Sequence, residues 1–112
     1  MIEITVVNLL DNTELIKHAS DEAIAKALEM CGMIAETYAA DLAPVDTGRL
    51  TNSITHAPED KYTMVIGTNV EYAAYVELGT SRHPEPQPYL RPALLNHIGE
   101  YENIIKSVLS GG

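Results

Sequence analysis

Asp46, Thr47 and Arg49 crowd the segment Ala43-Pro44-Val45-Asp46-Thr47-Gly48-Arg49-Leu50. A carboxylate, a hydroxyl and a guanidinium so close together could bind an anion or move a proton. The same residue types also suit the start of a helix, where Asp or Thr accepts from backbone N–H groups two or three residues on. The structural reading is preferred, because residue types alone attach no reaction to the turn. Arg82 and His83, with Glu77 and Glu85 nearby, are the other group suited to acid–base work. The histidines at 18, 56, 83 and 97 lack the short paired spacing of zinc ligands. Gly67-Thr68-Asn69 offers one glycine rather than a phosphate cradle, and Ser53 and Ser81 lack a nucleophile-elbow context. Cys31 is the only cysteine, so no disulfide can form within one chain; its place in a helical pattern suits a buried thiol. No catalytic, cofactor or metal site is expected, and the chain is not expected to be an enzyme.

The elements that position these residues must come from a modest core. The 112 residues suit one domain. With no Trp or Phe the core must be aliphatic, and the six tyrosines need hydroxyl partners wherever they are buried. The formal charge is −9, and residues 1–45 carry eight acidic side chains against Lys17 and Lys26. Duplex binding depends on Lys and Arg meeting phosphates. No basic run is present, so nucleic-acid binding is not expected, although an acidic wall would suit a conduit that DNA passes through without sticking. The opening Met-Ile-Glu has no signal-peptide character and no apolar run spans a bilayer, so a cytosolic origin and no membrane partner are expected.

Residues 1–10 carry a strand, with Ile2, Ile4 and Val6 alternating against Glu3, Thr5 and Val7. Residues 12–42 read as a long helix, with apolar residues at three- and four-residue steps from Leu15 to Leu42. Ser20-Asp21 offers a second cap that could break it near Ala19, and Pro44 ends it. Residues 44–94 hold the Asp46 turn, a hairpin, a short helix and a proline-rich arm. The hairpin strands are expected at 53–57 and 62–68, with Tyr62, Met64 and Ile66 on one face. Gly79 is placed to cap the short helix over 69–78 in a left-handed conformation. Residues 92–109 form the C-terminal helix, with Pro92 in its first turn and Leu94, Ile98, Tyr101, Ile105 and Val108 in one stripe. The fold class is α+β: a small antiparallel sheet packed against a long N-terminal helix and a C-terminal helix.

Two stretches, taken together, resemble a known family. Pro44, Asp46, Thr47, Gly48, Arg49, Leu50 and Ser53 match its first motif. Tyr72, Tyr75, Val76, Glu77, Gly79, Thr80, Pro88, Leu90, Arg91, Pro92 and Ala93 match its second. The family is that of the head–tail joining (neck or tail-completion) proteins of tailed bacteriophages, of the HK-phage gene-10-product-like type. The chain departs from it at Leu78 and Tyr89, where Phe is common, and in its longer, more acidic His83-Pro84-Glu85-Pro86-Gln87 lead-in. The resemblance implies a structural virion protein with no reaction and no cofactor. It implies assembly into a ring between the phage head-completion and tail-terminator proteins, after synthesis in the host bacterial cytoplasm.

Alternating Pro84, Pro86 and Pro88 pre-extend the arm, so it loses little entropy on docking. Arg82 and Arg91 flank it, and Tyr89 and Leu90 supply an aromatic–aliphatic pair, all suited to a subunit interface. The competing reading of the arm is a rigid loop that returns the chain to its own core. The competing function is a small acidic monomeric or dimeric protein-binding or inhibitory module.

Overall fold

The computed structural model describes residues 2–44, 48–79 and 85–110. The chain begins with β1 (Ile2–Asn8), a 3-10 turn (Leu9–Asn12), α1 (Thr13–Lys17) and the long helix α2 (Asp21–Leu42). After α3 (Arg49–Ser53) come β2 (Thr55–Asp60) and β3 (Thr63–Thr68), then α4 (Ala73–Leu78), α5 (Leu90–Leu95) and α6 (Ile98–Leu109). This is the expected α+β class, with an antiparallel sheet of order β1-β3-β2.

The helix expected over 12–42 is broken, and the cause is local. The Ser20 hydroxyl accepts from the N–H of Ala23, which starts α2 afresh and leaves α1 as a separate short helix. The helix expected over 92–109 starts earlier and is likewise divided. The N–H groups of Asn96 and His97 turn back to Pro92 and Leu94, ending α5 before α6 begins. The hairpin is shifted too: Pro58 lies within β2, and the turn falls at Lys61 and Tyr62. Proline is tolerated there because β2 is an edge strand.

One stripe of α2, built from Ile24, Ala27, Leu28, Cys31, Ala35 and Ala39, is buried. The helix packs against the sheet on one side and against α5 and α6 on the other. From the sheet, Val6, Met64 and Ile66 enter this core, while Glu3 and Thr5 face solvent as their alternation requires. Tyr62 sits in the turn, half-buried, rather than in line with Met64 and Ile66. Cys31 is buried, and burial followed by the nearby Glu100 pushes its thiol up to about 11, so it is inert.

Two glycines permit the close approaches that this layer needs. A Cβ on Gly67 would lie 2.4 Å from the carbonyl oxygen of Ile2 on the paired strand. A Cβ on Gly32 would lie 2.8 Å from the ring of His56 and 2.9 Å from the Met64 sulfur, so the gap in α2 seats β2 and β3. The molecule is elongated, 51 × 20 × 19 Å, with a radius of gyration of 15.1 Å. A compact domain of this length would have about 13 Å.

Candidate functional site

The second motif folds into a corner made by α4, the arm and α5. On α4, Ala73 and Glu77 are one turn apart and both point inward. Glu77 is 4% exposed, and its carboxylate reaches the start of α5. Oε1 accepts from the N–H groups of Tyr89 (3.0 Å) and Leu90 (2.8 Å), and Oε2 from that of Arg91 (3.3 Å). The first turn of a helix leaves four N–H groups without intrahelical partners. Here Glu77 takes three of them and Pro92, the fourth position, has none to offer. A negative charge at that end is also favoured by the helix dipole.

Tyr89 completes the joint. It is fully buried, and its hydroxyl donates to the carbonyl of Ala73 at 3.1 Å. Burial, with smaller contributions from Glu77 and Tyr72, pushes its phenol up to about 12. The N–H of Gln87 donates to the carbonyl of Val76 at 2.8 Å, laying the arm along the end of α4. Gly79 ends α4 with φ 81° and ψ 172°, and its N–H returns to Tyr75. Glycine is required there, as expected, but the conformation is extended in ψ rather than left-handed helical.

These facts correct the expectation that Tyr89 and Leu90 face a neighbouring subunit. Both lie in the chain's own core, because the buried Glu77 carboxylate draws their backbone inward. Pro86, Pro88 and Arg91 are exposed, and Arg82 and Pro84 lie outside the described residues. Glu77, grouped above with His83 for acid–base work, is fully engaged by backbone N–H groups. His83 lies outside the described residues.

The first motif forms a second joint. Pro44 follows α2 half-buried, and Gly48 precedes α3 with φ 78°, a conformation that favours glycine. Arg49 makes a two-pronged ion pair with Glu71 at 2.8 and 2.7 Å, and its guanidinium lies 5.6 Å from the centre of the Tyr72 ring. Leu50 enters the core. Ser53 bonds the carbonyl of Leu50 at 2.7 Å and the hydroxyl of Thr68 at 2.6 Å. The two motifs thus meet where Arg49 lies against Tyr72, with Glu71 beside it. The capping expected of Asp46 or Thr47 lies outside the described residues.

One charged cluster escaped the sequence reading. His56 on β2 lies over Gly32, with Nε2 2.8 Å from Glu29 and Nδ1 3.0 Å from Glu36. Partial burial pulls the imidazole toward neutrality, but the hydrogen bonds to Glu29 and Glu36 outweigh it and raise its pKa above the ordinary value. The seven-residue spacing of the two glutamates around Gly32 was the available signal, since it marks two turns of one helix face. Among the described residues, no group of His, Cys, Asp and Glu is arranged to hold a metal ion. Among the same residues, no helix is long and apolar enough to cross a membrane.

Polar side chains at both joints serve to fix this chain's own backbone, the arrangement of a small structural α+β module. The chain belongs to the HK97-gp10-like family, described as "Bacteriophage HK97-gp10, putative tail-component", whose family model matches residues 9–79. It is accordingly a phage structural protein. No curated protein and no solved structure matches the chain.

Proposed function

We propose that the protein is a neck or tail-completion subunit that joins phage head and tail by closing into a homo-oligomeric ring. The observation that carries this reading is apolar surface left open on the elements that hold the second motif. Leu78 and Leu95 are 55% and 60% exposed, and Tyr75 is 62% exposed. Large apolar side chains grouped in this way suit a surface that another protein covers. One modest contact per subunit, repeated around a closed ring, yields a stable assembly. The ring's neighbours are head-completion and tail-terminator proteins, and its place is the virion's head–tail junction. A net charge of −9 lets DNA pass without being held. The work is mechanical and includes no chemical step.

Light scattering across a wide concentration range, followed by imaging of the largest species, tests this. A concentration-dependent, ring-sized particle with a central hole is expected. A strict monomer or dimer at every concentration favours the acidic binding module instead.

A further inference from the structure

We propose that the exposed corner of Leu78, Leu95, Pro86, Pro88 and Arg91 docks head to tail into a groove between α2 and the β2–β3 hairpin of a second copy of this chain. The proposal rests on the ring reading and extends it by naming both faces of the contact.

The sheet edges are poor candidates for joining subunits. Pairing of β1 is interrupted between Thr5 and Val7, and that of β2 between Pro58 and Asp60. Pro58 has no N–H to offer, and Glu59 and Asp60 place charge on the same edge. A contact between copies therefore falls to side chains.

The receiving face is a groove of about 470 Å³. Ile24, Ala25, Leu28, Pro58 and Met64 line it, and Asp21, Glu29 and Asp60 stand at its rim. Lys61, the rim's lysine, is tied to Asp21 at 2.8 Å and Glu29 is bonded by His56, so the rim's negative charge rests chiefly on Asp60. Met33, one turn beyond Glu29 and half exposed, prolongs the apolar surface along α2. Methionine adapts its shape to an incoming side chain.

The inserting face has the opposite character. Leu78, Leu95 and the arm prolines surround Arg91, which is exposed and forms no ion pair among the described residues. The adjacent carboxylate, Glu77, is taken up by backbone N–H groups. An arginine among aliphatic side chains is what a strong protein contact uses. Like faces do not match: corner against corner brings two Arg91 side chains together, and groove against groove opposes two acidic rims. Corner into groove matches apolar with apolar and positive with negative. Such a contact is heterologous and propagates until a ring closes.

The test uses Leu95→Glu to spoil the corner and Ala25→Arg to spoil the groove, both at exposed helical positions. Circular dichroism and melting verify folding, and Leu78→Ser and Ala25→Gln replace any variant that unfolds. Sedimentation velocity is expected to show each variant assembling only at about tenfold or more higher concentration than the natural chain. Mixed, the two variants retain one good corner and one good groove, so they form one-to-one pairs and nothing larger. Normal assembly by either folded variant overturns the face it spoils and leaves the ring reading standing. Two blocked variants that do not pair on mixing overturn the head-to-tail geometry. A natural chain that stays monomeric throughout overturns the ring reading and this proposal together.

Discussion

Between α2 and the sheet, the chain is held by many apolar side chains at regular spacing; between α4 and α5, it is held chiefly by one carboxylate. In the first region Ile24, Leu28 and Cys31 meet Met64 and Ile66, and no single polar contact is indispensable. In the second, Glu77 collects three backbone N–H groups across twelve to fourteen residues of chain. Distributed packing tolerates modest change, because loss of one contact leaves the others. A focused polar joint does not, because removing the acceptor leaves several buried donors unsatisfied at once. The focused joint also frees the arm's prolines and α5's outer face from the core, which is where the proposed contact lies.

The largest effect expected in this comparison falls in the packed layer, where Gly67 lies against the backbone of the paired strand. Gly67→Ala sets a methyl group 2.4 Å from the Ile2 carbonyl, where only the strands themselves can move. Urea unfolding should show a loss of roughly 4 kcal/mol or outright failure to fold; near-normal stability would mean that the β1–β3 pairing is looser than described. Next comes the carboxylate joint. Glu77→Ala should cost about 3 kcal/mol by the same measurement, and amide exchange should quicken at Tyr89, Leu90 and Arg91 while α2 stays protected. Uniform quickening across both regions would erase the distinction between them.

A smaller effect is expected of Gly32→Ala. Its methyl group meets the ring of His56 and the Met64 side chain, both able to shift, so the loss should be about 1–2 kcal/mol. Smallest is the bridge across the same notch. The raised pKa of His56 means that its protonated form is favoured by folding, with Glu29 and Glu36 as the opposing charges. Its contribution is therefore full below the unfolded value of about 6.5 and fades as pH rises through the higher folded value. Comparing the natural chain with His56→Gln, the difference should be about 1 kcal/mol or less near pH 5.5 and smaller near pH 8.5. A difference that grows with pH would show that the imidazole acts as a neutral spacer.

The packed layer was legible in advance because its signals are local. Alternation marked Ile2, Ile4 and Val6, three- and four-residue steps marked α2, and Ser20 announced the break that its side chain makes. The corner was only half legible. Alternating prolines ruled out helix and central strand, and Gly79 marked the end of α4. Tyr89 and Leu90 read as outward-facing anchors because nothing near them in sequence shows where their N–H groups go. Glu77 shares a helix face with Ala73, yet the sequence grouped it with His83 for acid–base work, because the N–H groups that it meets lie twelve to fourteen residues on.

The core expected to be aliphatic also takes in Tyr89 and Tyr101, but composition and periodicity by themselves determined an acidic α+β chain, and its Pro, Gly and Arg positions pointed to its family. Each of these depends on residues within a few turns of one another, where backbone geometry fixes the outcome. Only the tertiary structure decided that Glu77 holds the start of α5, that His56 fills the notch at Gly32, and which apolar side chains remain outside. Those outcomes depend on groups brought together across the chain, and their chemistry exists only once the core has placed them.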